Sequence, residues 1–494
     1  MSIDKNIIND VVEKIKVFQN TLTKSAYECH PLDSKILSLI NNMNSKLCND
    51  DDYSLFKQID IIKEMWGMLI EKSIICLRYY DEREPFKVNA NKKPRAYGVD
   101  QLCDYFNKYS DFESMLYGGA KYYRDHVIHV FRVWLLGIRL LLKDNYIENV
   151  GIQGVELNQL EKISIWTIIA LTHDLGYPLE KALQIIDRTN SMMKTFVVNP
   201  AVSMDLSFTG VQNSMNDFVL RLISSKMKPM NNGTNEQYVA RLQPKYYFKF
   251  QKSLEHNKHG VLSALIIYKI LLYFLESDYN VNEDYQFSKE DARQFYIRRE
   301  ILRAIASHTC SDIYQLDATN FSFLLIVADD AQDWGRKSIS ELYTINNGNR
   351  YSFKKVEVKP SQDKTGLYKC LIIDNYEISD VDLVPNLIKR FINQGKSYRD
   401  IFRDGQDTTN RNFDFSRITG LDVNIEGDTE NFIYNLVVPN DSQAKVTIEK
   451  KETLIDANDI FYKKISADKG ISKIISIKGG VVFINLDDTL DKYL

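Results

Sequence analysis

The segment Leu171-Thr172-His173-Asp174-Leu175-Gly176-Tyr177-Pro178 places a His-Asp doublet directly after an apolar run, Ile165 to Leu171, that reads as a buried helix. A carboxylate and an imidazole buried at the end of such a helix need a partner, because unpaired buried charge is strongly unfavourable. A metal ion supplies that partner, since it offers positive charge and accepts both ligand types. The remaining histidines can be judged against this reading.

The chain has seven histidines. All but His30 fall in short clusters: His126 and His129, His173, His256 and His259, and His308. Each cluster lies in or beside an apolar helical pattern. An acidic cluster, Ala328-Asp329-Asp330, follows another buried-looking run, Phe321 to Val327. One histidine on an apolar face is more often a satisfied core residue than a ligand. Several such histidines joined by aspartates are better explained as one metal site.

The order His, His-Asp, His, His, Asp resembles the HD-domain superfamily of metal-dependent phosphohydrolases. The residues that carry the resemblance are His129-Val130-Phe131-Arg132-Val133, His173-Asp174-Leu175-Gly176, His259-Gly260, Ser307-His308 and Ala328-Asp329, within about residues 115–340. It implies a metal set of His129, His173, Asp174, His259, His308 and Asp329, with Asp174 bridging two metals where two are present. Four of these, His129, His173, Asp174 and Asp329, suffice for one metal. The cofactor expected is one or two divalent transition metals, Mn, Fe, Ni, Co or Zn, with Mg also admissible. The chemistry expected is attack on phosphorus by a metal-activated hydroxide. Asp329 fits the family's Ala-Asp pattern better than Asp330.

His126 and His129 are three apart and share a helix face, so only one of them need be the first ligand. The family's aliphatic residue four positions after that ligand is matched by Val133, which favours His129 and leaves His126 as a candidate general acid. Arg124 (grouped with Asp174 and His126 as catalytic) and Lys121 precede it and could reach a phosphate; solvated charges at a helix start are the plainer alternative. In Ala331-Gln332-Asp333-Trp334-Gly335-Arg336, Trp334 is a candidate pocket wall and Arg336 a candidate anion-binding residue.

These residues need a scaffold, and the sequence reads as mainly α: an HD-type helical bundle core, an N-terminal helical region and a smaller α+β C-terminal region. The divisions expected are 1–112, 113–345 and 346–494. In the first, Ile7 to Leu22, a helix from Asp33 or Ser34, and Tyr53 to Tyr80 show helical periodicity, and Asn89 to Pro94 reads as a loop. In the second, Leu116 to Gly119 reads as a break. Helices are expected over Lys121 to Leu142, Pro178 onward, Tyr246 to Leu275 and Arg298 to His308. Residues 187–245 look irregular, a place where specificity could reside. In the third, Tyr351 to Val358, Tyr368 to Ile373, Phe432 to Val438 and Lys445 to Glu449 read as strands, and Val384 to Asn393 as a helix.

A net charge of −3, from 63 basic and 66 acidic side chains, exerts no global pull toward nucleic acid or anionic membrane, though a local basic groove remains compatible with it. Six widely spaced cysteines without a C-x-x-C pair disfavour a disulfide framework or zinc ribbon and fit a reducing cytoplasm. The first residues lack the basic start and apolar core of a signal peptide. The longest apolar run, Ala264 to Leu275, is too short for a membrane span and contains Lys269. No Walker A loop, nucleophile elbow or dinucleotide fingerprint occurs in a fitting context.

Three functional classes follow. The first is a hydrolase of phosphate esters in a nucleotide or related small phosphorylated substrate. The second is a nuclease acting on single-stranded DNA or RNA, and the third a non-catalytic nucleotide-binding regulator. An intact ligand set favours the enzymes, and the charge balance favours the first. No membrane partner is expected, and the N-terminal region could support a homo-oligomer.

Overall fold

The computed structural model describes residues 2–22, 29–48, 54–81, 96–119, 124–143, 146–195, 211–232, 235–277, 279–282, 284–310, 312–313, 319–336, 351–362, 368–378, 413–425, 428–440, 443–450, 474–478 and 481–485. Its contacts divide the chain into two units. One comprises residues 4–313 with 319–332, the other residues 1–3, 314–318 and 333–494.

The larger unit is mainly helical. Its elements are α1 (Ile3–Thr21), α2 (Ser34–Ser45), a 3-10 turn (Phe56–Gln58), α3 (Ile59–Tyr80), α4 (Val99–Gly119), α5 (Val127–Leu142), α6 (Tyr146–Asn149), α7 (Gln159–Thr172) and α8 (Tyr177–Met193). Then come α9 (Val211–Ser224), the antiparallel strands β1 (Ser225–Asn232) and β2 (Asn235–Leu242), α10 (Pro244–Glu255), α11 (His259–Ile270), α12 (Leu272–Leu275), α13 (Lys289–Ser307) and α14 (Phe321–Ala331).

The central element is α7, which is buried on every side from Leu160 to Thr172 and packs against α3, α5 and α13. Each large aliphatic side chain removed from water there contributes about 1.5–3 kcal/mol. Its internal hydroxyls are satisfied along the helix: Ser164 donates to Leu160 O at 2.8 Å and Thr172 to Ile168 O at 2.7 Å. The start is fixed by a reciprocal cap in which the Asn158 side chain accepts from Glu161 N and the Glu161 side chain accepts from Asn158 N, each at 3.0 Å. At the other end the Trp66 indole donates to Leu171 O at 2.9 Å, so α3 supports the C-terminus of α7 where the doublet begins. Asp33 caps α2, accepting from Ile36 N at 3.0 Å.

Several boundaries depart from the sequence expectations. The glycines at 118 and 119 do not break α4, which runs through Gly119 and is anchored by buried Leu116. α5 begins at Val127, six residues later than periodicity suggested, because the Glu113 carboxylate accepts from His126 N (2.6 Å) and Val127 N (3.2 Å) and fixes the start there. The expected continuous helix over Tyr246 to Leu275 is interrupted between α10 and α11. Asn257 adopts a left-handed φ of 51°, a conformation that asparagine tolerates better than most residues. The described residues within 187–245 hold the rest of α8, then α9 and the antiparallel strands β1 and β2, and are more regular than expected.

In the smaller unit the described residues form a sheet of β3 (Tyr351–Gln362), β4 (Tyr368–Ile378), β5 (Phe413–Ile425), β6 (Asp428–Asn440), β7 (Gln443–Lys450), β8 (Ile474–Lys478) and β9 (Val481–Asn485). Their order is β3-β4-β5-β6-β7-β9-β8, with β4 and β5 parallel and the other neighbours antiparallel. The expected strands fall within β3, β4, β6 and β7; the helix expected over Val384 to Asn393 and the loop over Asn89 to Pro94 lie outside the described residues. No helix among the described residues is long and apolar enough to cross a membrane.

Candidate metal centre

Five helices bring the expected ligands together. His129 sits in the first turn of α5, His173 and Asp174 follow the last turn of α7, and His259 opens α11. His308 caps α13, and Asp329 lies in the last turn of α14. Two close approaches make the junction possible. At Gly176 a Cβ would lie 2.4 Å from His259 O and 2.8 Å from Ser263 N; at Gly260 it would lie 2.8 Å from Ile305 O. Glycine is therefore demanded at position 176 by contact with α11, since its φ of −79° is ordinary. Gly176 N also donates to Ser263 Oγ at 2.7 Å, and the Tyr105 hydroxyl donates to Leu175 O at 2.6 Å.

The imidazoles share one orientation. His173 Nδ1 faces Ala170 O at 2.8 Å, His308 Nδ1 faces Ile305 O at 2.6 Å, and His259 Nδ1 faces Glu180 Oε2 at 2.6 Å. His129 Nδ1 faces Gln332 Oε1. Each Nδ1 thus has an acceptor for its proton, which leaves the Nε2 lone pair directed at the carboxylates. His129 Nε2 lies 2.8 Å from Asp329 Oδ1 and 3.7 Å from Asp174 Oδ2. His173 Nε2 lies 3.5 Å from Asp174 Oδ2 and 3.8 Å from Asp329 Oδ1. On the other Asp174 oxygen, Oδ1, His259 Nε2 approaches to 3.2 Å and His308 Nε2 to 3.5 Å.

This geometry can hold a cation. In each of the sets His129, His173, Asp329 and His173, Asp174, His308, the ligand atoms lie within 4.8 Å of one another. The Nε2 atoms of His173 and His308 are buried with no hydrogen-bond partner among the described residues, an arrangement that is unfavourable in protein alone. The two sets share His173 and differ in their carboxylate, Asp329 in one and Asp174 in the other; the two Asp174 oxygens face different histidine pairs.

The electrostatics agree with close coupling. Burial disfavours the Asp174 charge, yet His173, His259 and His308 hold its carboxyl well below the usual range. Asp329 is held low against burial in the same way by His129 and His173. Burial opposes the charged form of His259, but Asp174 and Glu180 outweigh it and raise the imidazole to about 9. His308 goes the other way, kept low by burial and by its neighbours His173 and His259.

His126, expected to be a general acid, is buried just before α5. Its ring stacks on Tyr177 at 3.6 Å between centroids and stands 6.1 Å from the His129 ring, and its Nδ1 is 3.5 Å from Glu113 Oε1. His256 is exposed at the end of α10. Arg124 is half-buried and precedes α5, whereas Lys121 lies outside the described residues. Trp334 and Arg336 belong to the smaller unit. Asp330 follows Asp329 but is not in either ligand set.

Sequence reasoning missed the residues that orient the ligands. Glu180 accepts from both His259 N (2.9 Å) and its ring, Gln332 receives His129, and Glu113 holds the His126 segment. The signals available were modest: Glu180 lies in the first turn after the doublet, and Gln332 lies three residues beyond Asp329. Comparison with models of known families, with curated proteins and with solved structures finds no match.

Proposed function

We propose that this chain is a metal-dependent hydrolase of phosphate ester bonds in a nucleotide or related small phosphorylated substrate, built on a helical core of the HD type. The observation that supports it best is the shared orientation of His129, His173, His259 and His308, each with Nδ1 held by an acceptor and Nε2 turned to Asp174 or Asp329. A divalent transition metal at such a centre supplies an acidified water and positive charge for phosphate oxygens.

The chain's own groups do the rest. Asp174 and Asp329 keep negative charge at the centre, and Glu180 and Gln332 keep the imidazoles in the ligating tautomer. His126 stands beside the centre, its Nδ1 3.5 Å from Glu113 Oε1. In this reading its Nε2 proton passes to the leaving oxygen as the phosphorus–oxygen bond breaks. The rings of His126, Tyr177 and His259 lie in successive contact beside the centre. The spacing of the cysteines accords with a cytoplasmic setting.

The test is a panel of nucleotides, aryl phosphates and single-stranded oligonucleotides incubated with manganese-loaded protein and with Asp174→Ala. Metal-dependent phosphate or nucleoside release from a small substrate, lost in the variant, is the expected result. Cleavage of oligonucleotides alone would replace this reading with the nuclease one. No metal-dependent turnover of any phosphate ester would overturn both.

A further inference from the structure

The first two turns of α8 carry a stripe beside the metal centre: Tyr177, Glu180, Lys181 and Gln184, at helical spacings of three and four residues. Glu180 turns to His259. Lys181 turns to the ring of Tyr177, its Nζ 4.8 Å from the centroid, and the Tyr177 and His259 centroids are 5.2 Å apart. The ammonium group is therefore no more than about 10 Å from the His259 ring.

Lys181 is half-buried. Among the described residues its one hydrogen bond is to Gln184 Oε1 at 2.9 Å, which engages one of its three donors. The adjacent carboxylate is engaged elsewhere: Glu180 Oε2 receives His259, and Oε1 accepts from Gln184 Nε2 at 3.4 Å. Lys181 forms no ion pair among the described residues; burial disfavours its charge, Glu180 attracts it, and Arg188 and Lys258 add to the positive field around it. Partly burying an ammonium group is unfavourable unless it is paired; here the ring and Gln184 hold it in place, and Glu180 attracts it without forming an ion pair. A compact ammonium held in this way suits a phosphate oxygen.

We propose that Lys181 binds a second phosphate of the substrate, so that the site takes a compound with at least two linked phosphates, such as a nucleoside di- or triphosphate, with one phosphate at the metal centre and the next on Lys181. This rests on the metal-dependent reading above. It adds a substrate class and a binding residue that the histidine and aspartate constellation does not specify.

The experiment is isothermal titration of full-length protein with pyrophosphate and with orthophosphate at fixed free manganese, for the native chain, Lys181→Met and Lys181→Arg. The native protein should bind pyrophosphate more tightly than orthophosphate. Lys181→Met should weaken pyrophosphate about tenfold, as expected for losing one charge-assisted hydrogen bond, and affect orthophosphate much less. Lys181→Arg should keep most of the preference, which a purely structural loss would not restore. Pyrophosphate affinity unchanged in Lys181→Met, equal weakening of both anions, or no pyrophosphate binding by the native protein would overturn the assignment. Manganese content of the same preparations reports separately on the metal centre, so failure of the hydrolase reading is distinguishable from failure of this one.

Discussion

Gly176→Ala should damage one half of the metal centre while leaving the other in place. The added Cβ would sit 2.4 Å from His259 O and 2.6 Å from Leu262 Cβ, whereas ordinary contact begins at 3.4 Å. The start of α11 must then withdraw by about 1 Å, carrying His259 with it. Overpacking of this kind costs about 1–3 kcal/mol, or a loss of about 2–5 °C in Tm for a unit of this size. Metal ligation tolerates displacements of only about 0.2 Å, so the His259 side of Asp174 should lose its ion. His129, His173 and Asp329 come from α5, α7 and α14 and should retain theirs. Calorimetry and metal analysis of manganese-loaded protein provide the assay, with Gly151→Ala as control, because a Cβ there meets nothing within 4 Å. If Gly176→Ala melts and loads like Gly151→Ala, the argument from close approach is wrong.

Other expectations follow from individual contacts. Glu180→Gln should weaken manganese binding about 10–100-fold by loosening the orientation of His259, and titration calorimetry reads it directly. Arg132 donates to Asp4 at 2.9 and 2.6 Å in a buried pair; Asp4→Ala should cost about 3–5 kcal/mol in chemical denaturation, and replacing both residues with apolar ones should recover much of it. His30 is held down to about 4 by burial, with its Nδ1 accepting from Leu32 N at 3.2 Å. Its folded pKa lies below its ordinary 6.5, so as pH falls the unfolded chain takes the proton first. The stability His30 provides is therefore complete above pH 6.5 and is lost between 6.5 and about 4, by up to about 3 kcal/mol. In His30→Asn the difference from the native protein should shrink across that window, as measured by thermal melts at a series of pH values.

The metal-type side chains were legible in the sequence because buried polar groups are rare on apolar helices: the runs before His173 and Asp329 mark them as sites of unusual chemistry. The central helix was legible for the same reason. Its limits were less so, because they depend on groups distant in sequence. Periodicity alone extends α5 back to Lys121, but the Glu113 carboxylate fixes its start, and the left-handed turn at Asn257 separates His256 from His259 despite their helical spacing. Glu180 and Gln332 were invisible as ligand-orienting residues, because nothing in their local sequence says which imidazole they will meet. The doublet points to the centre, whereas the contacts that tune it are tertiary.

The most direct test of the metal centre is the metal content of protein purified without chelator and then loaded with manganese, with Asp174→Ala measured alongside. Two equivalents of transition metal per chain, lost in the variant, are predicted from the way the Asp174 oxygens divide His129 and His173 from His259 and His308. No bound metal in the native protein after loading would contradict the account.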